Sequence, residues 1–164
     1  MLKNENRYEK WVLNVFKAWI EYIDDMGCDY TVSKRMDTLS FPEYFPPLKK
    51  KLEYEVRVDE QNYCLYVKMP VKVDRERLDE VSEYILKTNG NPMFAHFVLD
   101  YDKGEVFCVH GVFCEGKIPG YDNMLSAHVA VKEYTNTFGK GIVMVAEKNV
   151  SAGDAYRACL GVEE

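Results

Sequence analysis

The side chains with the most chemical reach are two cysteines and two histidines in the second half of the chain. Cys108, Val109 and His110 stand in a row, Cys114 follows, and His96 lies on the segment before them. Residues two apart share one face of a strand, so Cys108, His110, Val112 and Cys114 point together. A reverse turn at Asp102-Lys103-Gly104 pairs Tyr101 with Glu105, and counting back from there sets His96 opposite His110. Two imidazoles and a thiol on neighbouring strands are the makings of a zinc site or of a thiol enzyme. Structural zinc sites, however, use closely spaced ligand pairs, and none occurs in this stretch. A cysteine in mid-strand among apolar neighbours also keeps its proton. A metal- or thiol-dependent enzyme using Cys108, His96 and His110 is therefore the alternative reading. Ordinary packed residues are the expectation, with no metal and no cofactor assigned.

Other catalytic templates are missing from the sequence: there is no GxSxG, HExxH, GxxxxGK[ST] or GxGxxG. Asp79, Glu80 and Glu83 read as the solvated face of a helix. Acidic residues outnumber basic ones 27 to 21, for a net charge of -6. That balance disfavours a nucleic-acid footprint, and the short basic run Lys49–Lys51 is too small to reverse it. The 164 residues, 47% of them hydrophobic, suit one domain with a real core. Five cysteines, an odd number without a CxxC pair, suggest reduced thiols and a cytoplasmic location. The polar start MLKNENRYEK does not read as a signal peptide, and no apolar run is long enough for a membrane span.

The elements that must position these residues follow from periodicity. From about Glu5 to Met26, Tyr8, Val12, Val15, Trp19, Tyr22 and Met26 recur at helical spacing, and Trp11, Phe16, Ile20 and Ile23 widen the stripe. Gly27 suits a left-handed helix end. Residues 27 to 50 are less regular, with a short strand at Tyr30–Val32. The segment FPEYFPPLKK, rich in proline and aromatic residues, reads as an ordered apolar loop. Its Phe41, Tyr44 and Phe45 form a candidate docking strip.

A β-rich section begins at residue 51. Tyr54, Val56 and Val58 alternate with Glu55, Arg57 and Asp59, a turn falls at residues 59–62, and Leu65, Val67, Met69 and Val71 face the core on the return. Asp74 caps a helix from Arg75 to Thr88 with a stripe of Leu78, Val81 and Ile85, which Asn89-Gly90 ends. In the second hairpin, Gly104 takes the left-handed turn position. Phe97, Leu99, Phe107 and Val109 fall on its core face, leaving Val98, Val106, Cys108, His110 and Val112 on the other. After Pro119-Gly120, Asp122 caps a long helix that continues, kinked, through Gly139 and Gly141. Ser151 and Asp154 resemble a capping box before a short last helix. The order α-β-β-α-β-β-α predicts an α+β sandwich: an antiparallel sheet of two hairpins covered by helices.

Four segments carry a resemblance: YEVRVDEQNYCLYVKMPVKV, DRERLDEVSEYILKTNG, FVLDYDKGEVFCVHGV and GKGIVMVAEKNVSAGDAY. The stretch from Tyr54 to Tyr156 resembles the YbjN-like domain family, whose fold is related to type III secretion chaperones. The likeness lies in element order and turn positions, and in the small-residue helix followed by a capped turn at Ser151. It implies a single domain over residues 1–164, with an N-terminal helix and proline-rich loop over 1–50 and a YbjN-like core over 51–164. It also implies a cytoplasmic sensory-transduction regulator without assigned chemistry. The chaperone relatives are homodimers that hold segments of other proteins.

The combined expectation is a non-enzymatic, chaperone-like or regulatory protein-binding module. It works as a homodimer with a protein partner, and without nucleic acid or membrane. Its contacts come from Trp11, Trp19, Phe41, Tyr44 and Phe45, and from Val98, Cys108, His110 and Val112 on a sheet face that is apolar where a solvated face carries charge.

Overall fold

The computed structural model describes residues 2–34, 38–59, 62–91 and 93–162, with side chains from Lys10 onward. Its elements in chain order are α1 (Leu2–Asp25), β1 (Thr31–Val32), β2 (Thr38–Phe45), β3 (Lys50–Val58), β4 (Asn62–Lys72), α2 (Leu78–Asn89), β5 (His96–Asp100), β6 (Glu105–Phe113), α3 (Tyr121–Glu147) and α4 (Ala152–Leu160). The strands form one antiparallel sheet in the order β1-β2-β3-β4-β6-β5. The helices pack on one side of it: α3 lies over β4 and β6, α1 reaches β3, α2 touches β5, and α4 rests on α2 and α3. The architecture is the α+β arrangement that the alternating hairpins and helices predict.

The first helix forms where its stripe predicts, and Val15, Phe16, Trp19, Tyr22 and Ile23 are fully buried, while the side chain of Tyr8 lies outside the described residues. Gly27 takes a φ of 68°, the left-handed conformation that ends the helix. Trp19 stacks on Phe41 of β2 and meets Tyr22 and Tyr63 edge-on. Aromatic contacts of this kind add to burial, so the broad stripe on α1 is covered by the chain's own sheet.

The proline-rich segment corrects the expectation of a loop. Residues 38–45 are strand β2, paired with β3 from Thr38↔Arg57 to Phe45↔Lys50. Proline is tolerated there because β1 covers only Leu39 and Ser40, so Pro42 stands on an edge and its missing N–H breaks no ladder. Pro46–Leu48 then turn in one 3₁₀ segment that joins β2 to β3.

Two caps also differ from expectation. Asp74 is extended but makes no side-chain cap bond, and the chain passes through a 3₁₀ turn at Arg75–Arg77 before α2. α3 starts at Tyr121 after Gly120, so Asp122 sits in its first turn, where a carboxylate still favours the helix dipole. Gly90 follows α2 with a right-handed φ of -71°. The box at α4 is as predicted: Ser151 Oγ accepts the Asp154 amide at 3.1 Å and donates to its carboxylate at 2.6 Å. Glu80, expected in solvent, instead accepts the Ala152 amide at 2.7 Å, while Arg77 donates to the carbonyls of Val145 and Val150. Those two side chains satisfy backbone groups that α3 and α4 leave open at their junction.

Gly104 is left-handed with a φ of 65°, as its place in the turn requires. The hairpin loop nevertheless has four residues where three were expected. The Asp100 carboxylate accepts the Lys103 amide at 3.0 Å and the Asp100 carbonyl accepts the Gly104 amide at 2.7 Å, which makes Asp100 the partner of Glu105. His96 therefore lies opposite Val109, not His110. A slip of one residue exchanges the faces of a whole strand.

Candidate functional site

The slip takes the chemical cluster apart. Cys108 and Val106 point to the helix side and are fully buried, with the Cys108 thiol donating to the Val131 carbonyl at 4.0 Å. Burial raises that thiol to about 12, so it stays protonated. His110 shares the helix side, where its Nδ1–H donates to the Phe94 carbonyl at 3.0 Å. His96 is exposed on the opposite side of the sheet. Cys114 follows the end of β6, its thiol directed at the Val112 carbonyl 3.7 Å away. Among the described residues, no group of three His, Cys, Asp or Glu side chains is placed to hold a metal ion.

The expected contact residues divide in the same way. Trp11, Trp19, Phe41, Phe45 and Cys108 are buried in the chain's own core and present no surface, because α1 and β2 are built into the sandwich. Trp11 also donates its indole N–H to the Lys117 carbonyl at 3.3 Å. Val112 and His110 are half-buried on the helix side. Tyr44 and Val98 do face solvent, at 54% and 43% exposure.

Among the described residues no helix lies over the other side of the sheet, and the register arranges its side chains in rows. One row runs Glu55, Tyr66, Val109, His96. On one side of it lie Lys68, Phe107 and Val98; on the other lie Arg57, Cys64 and Gly111, and beyond these Asn62 and Phe113. The half nearest β6 and β5 is therefore apolar, while β3 carries the charged row Lys51, Glu53, Glu55 and Arg57. Arg57 covers the Tyr66 ring, 4.3 Å from its centroid, and pairs with Glu55, while Lys68 leans over Phe107 and pairs with Glu105. Long basic side chains thus roof part of the apolar strip with their stems. Val109 and Phe107 were assigned to the core by the three-residue turn; with the observed register they belong here.

Each edge of the sheet is interrupted among the described residues. The Thr38 carbonyl accepts from Ser33 on the β1 side, so by alternation Pro42 and Tyr44 are the residues whose backbone faces outward past β1, and Pro42 has no N–H. At the far edge, the side chain of Asn89 occupies both backbone groups of Phe97 on β5.

A polar cluster that the periodicity did not single out lies on the helix side. His128 of α3 is buried among the rings of Tyr22, Phe41 and Tyr54. Its Nε2 is 2.7 Å from the Glu43 carboxylate, and its Nδ1 is 2.9 Å from the Tyr22 hydroxyl. A carboxylate only accepts, so the His128 Nε2–H donates to Glu43. Burial, with Tyr121 and Glu43 nearby, raises Tyr22 to about 12 and keeps that hydroxyl a donor. Lys132 pairs with the second oxygen of Glu43. Burial alone would raise the Glu43 carboxyl, yet the hydrogen bonds from His128 and Lys132 outweigh it and hold the group below its ordinary value. The signal that could have found it is Glu43 itself, a carboxylate at an inward position of the alternation Leu39, Phe41, Glu43, Phe45. The cluster ties α1, β2 and α3 together.

No family model matches the sequence, and no curated protein does. The fold does have a solved counterpart. The chain is similar to the crystal structure of YbjN from E. coli, described as a candidate transcription regulator, with a TM-score of 0.58 over 82% of this chain and 90% of that one, at 9% sequence identity. An identity this low is a likeness of fold. The sandwich of one antiparallel sheet and one helical layer is YbjN-like.

Proposed function

We propose that this chain is a regulatory protein-binding module that makes and breaks no covalent bond. Its working surface is the uncovered side of β4, β6 and β5. The observation that carries this reading is the apolar strip of Tyr66, Phe107, Val109, Val98 and Phe113 on the side of the sheet without helices, where Val98 is 43% and Phe113 66% exposed. An antiparallel sheet that meets water on one side ordinarily turns polar residues outward, and apolar surface in their place marks an interaction site. The blunted edges favour recognition by the face over addition of a strand. Apolar burial supplies the affinity, and the charged row on β3 sets register. The acidic net charge of -6 favours a polypeptide partner over nucleic acid. The likeness to YbjN, a candidate transcription regulator, supports a regulatory role by analogy of fold. The separation of His96 from Cys108 and His110 on opposite sides of the sheet supports this reading over the enzymatic alternative.

The test is site-specific photo-crosslinking in living cells. A photoreactive phenylalanine analogue placed at Val98 or Phe113 is expected to join a polypeptide covalently, and one at Glu83 on the solvent side of α2 is not. Equal yields at the three positions, or none at any, overturn the reading.

A further inference from the structure

We infer that the partner reaches this face with an extended acidic segment, which enters a fork between β3 and β4 and pairs there with the backbone of Lys51 and Glu53. This rests on the reading of the open face as a docking surface and adds the chemistry of what docks. The two strands are paired from Val58↔Tyr63 to Tyr54↔Val67, and no pair follows, although β3 begins at Lys50 and β4 runs on to Lys72. The same register, continued, would set Glu53 against Lys68 and Lys51 against Pro70. Proline has no N–H to give, and inside a sheet it belongs at an edge or a bulge. The ladder from β4 to β6 is irregular over the same residues, between Lys68 and Lys72. Pro70 thus accounts for the parting of the strands, and a cavity of about 490 Å³ opens between them.

β2 pairs with β3 along this stretch, so the fork leaves β3 with one bare side. The Asn62 carbonyl accepts the Asp59 amide, and alternation from there turns the backbone of the odd-numbered residues of β3 toward β4. In the fork those residues are Lys51 and Glu53. Bare strand backbone of this kind is completed by another extended chain. The outer edges of the sheet are interrupted, but here the sheet opens from within.

The walls select the segment. Lys68 is paired with Glu105, which leaves Lys51 and Lys72 without an ion-pair partner among the described residues. Lys49 and Lys50 continue the basic run at the wide end of the fork. In a chain of net charge -6 this is a local excess of positive charge, set against Glu53 at the apex and Glu147 on the helix side. An incoming strand therefore carries acidic residues opposite Lys51 and at the wide end, an apolar one opposite Leu52 and an uncharged one opposite Glu53. Tyr44, the neighbour of Lys51 on β2, is 54% exposed and extends the contact. At the apex β3 and β4 close, so the segment turns outward there, over Lys68 and its neighbour Phe107 onto the apolar strip. Nucleic acid would satisfy the lysines but not the bare strand.

The experiment is fluorescence anisotropy and amide hydrogen exchange on the full chain. The probes are the labelled peptide Gln-Val-Glu-Thr-Glu-Thr-Glu, its reverse, the same pair with lysine for each glutamate, and a uridine octanucleotide. In the free protein the Lys51 and Glu53 amides should exchange faster than those of Leu52 and Tyr54, which face β2. One of the acidic peptides should bind with a Kd below about 1 mM and slow the Lys51 and Glu53 amides, and the lysine peptides should bind about tenfold more weakly or worse. Lys51→Glu combined with Lys72→Glu should cost the acidic peptide about tenfold or more in affinity. Pro70→Val restores an N–H and closes the fork, so it should slow the Lys51 amide in the free protein and weaken the peptide by a similar factor. These positions are on the uncovered side, and circular dichroism should show unchanged folding. Failure of both acidic peptides to bind, binding that leaves the Lys51 and Glu53 amides as they were, or tighter binding of the oligonucleotide overturns the proposal. The photo-crosslinks separate the two ideas: a Val98 analogue that still captures a polypeptide ends the fork and keeps the docking face, while no capture and no peptide binding end both.

Discussion

The carboxamide of Asn89 closes on both backbone polar groups of Phe97: Nδ2 donates to the Phe97 carbonyl at 2.9 Å and Oδ1 accepts the Phe97 amide at 2.9 Å. The Tyr134 hydroxyl donates to the same Oδ1 at 2.9 Å, which fixes the orientation of the amide. Asn89 is the last residue of α2 and Phe97 lies on the outermost strand of the sheet. One side chain therefore does locally what another strand would do: it occupies the hydrogen-bonding edge and keeps other chains from it.

Asn89→Ala should lower stability by about 1–2 kcal/mol, since it leaves the Phe97 groups and the Tyr134 hydroxyl to find other partners. It should also expose the β5 edge. Urea denaturation checks the first consequence, and light scattering in mild denaturant, where edge pairing shows as aggregation, checks the second. A variant that loses stability without scattering more than the wild type would separate the structural role of Asn89 from its protective one.

Gly141 lies in the middle of α3, and there an alanine ordinarily gains about 1 kcal/mol over glycine. The opposite is expected here. A Cβ at Gly141 would stand 2.0 Å from the Tyr84 hydroxyl oxygen and 2.3 Å from the ring carbon that bears it. Tyr84 is fully buried, and its hydroxyl donates to the Phe138 carbonyl at 2.7 Å, so its ring cannot yield without losing that bond. Gly141→Ala should cost roughly 2–4 kcal/mol, measured as a fall in the urea midpoint at constant slope. Alanine at Gly153, whose Cβ would meet only the tips of Arg157 and Ser151, is the control and should be close to neutral.

The sequence is most readable where local spacing decides the structure. The α1 stripe, the alternation in β3 and β4, the Ser151 cap and the left-handed Gly27 and Gly104 all follow from residue type and period. It is least readable where a distant partner decides. Pro42, Pro46 and Pro47 argue against a strand until β1 is seen to stop at Ser40, which leaves Pro42 on an edge. The face of Cys108 turned on one loop residue, because the Asp100 carboxylate holds the Lys103 amide and so lengthens the turn by Tyr101. Glu43 and His128 are 85 positions apart, and nothing in either neighbourhood announces the other. The open face was anticipated in kind, with Val98 on it, while its β6 members turned out to be Phe107 and Val109.

The placement of Cys108 has a chemical consequence. With its thiol buried and raised to about 12, it should resist iodoacetamide in the folded protein and react only after unfolding. Cys64, on the uncovered side and half-buried, should react before Cys108. Pulsed alkylation followed by peptide mass mapping reads the order. Early labelling of Cys108 would mean that β6 presents its other face, and the docking surface would have to be redrawn.

Glu43 makes acid stability a test of the buried cluster. Its carboxyl is held below the ordinary value of 4.5 by His128 and Lys132 despite burial. A carboxylate with a lowered folded-state value contributes stability that is fully present above 4.5 and is lost as pH falls through the lower folded value. Glu43→Gln keeps the shape and removes the charge, leaving Lys132 and the His128 N–H with a weaker partner. At neutral pH it should be destabilised by about 2 kcal/mol, less than for a fully enclosed pair because Lys132 reaches solvent. The gap between the wild type and Glu43→Gln should then close as pH falls below 4.5, because the wild-type carboxylate takes up the proton whose charge the variant already lacks. Melting temperatures of both proteins from pH 7 to pH 3 give the comparison. Two curves that run parallel through the acid range would show that Glu43 titrates as it does in the unfolded chain, and the cluster would then be packing alone.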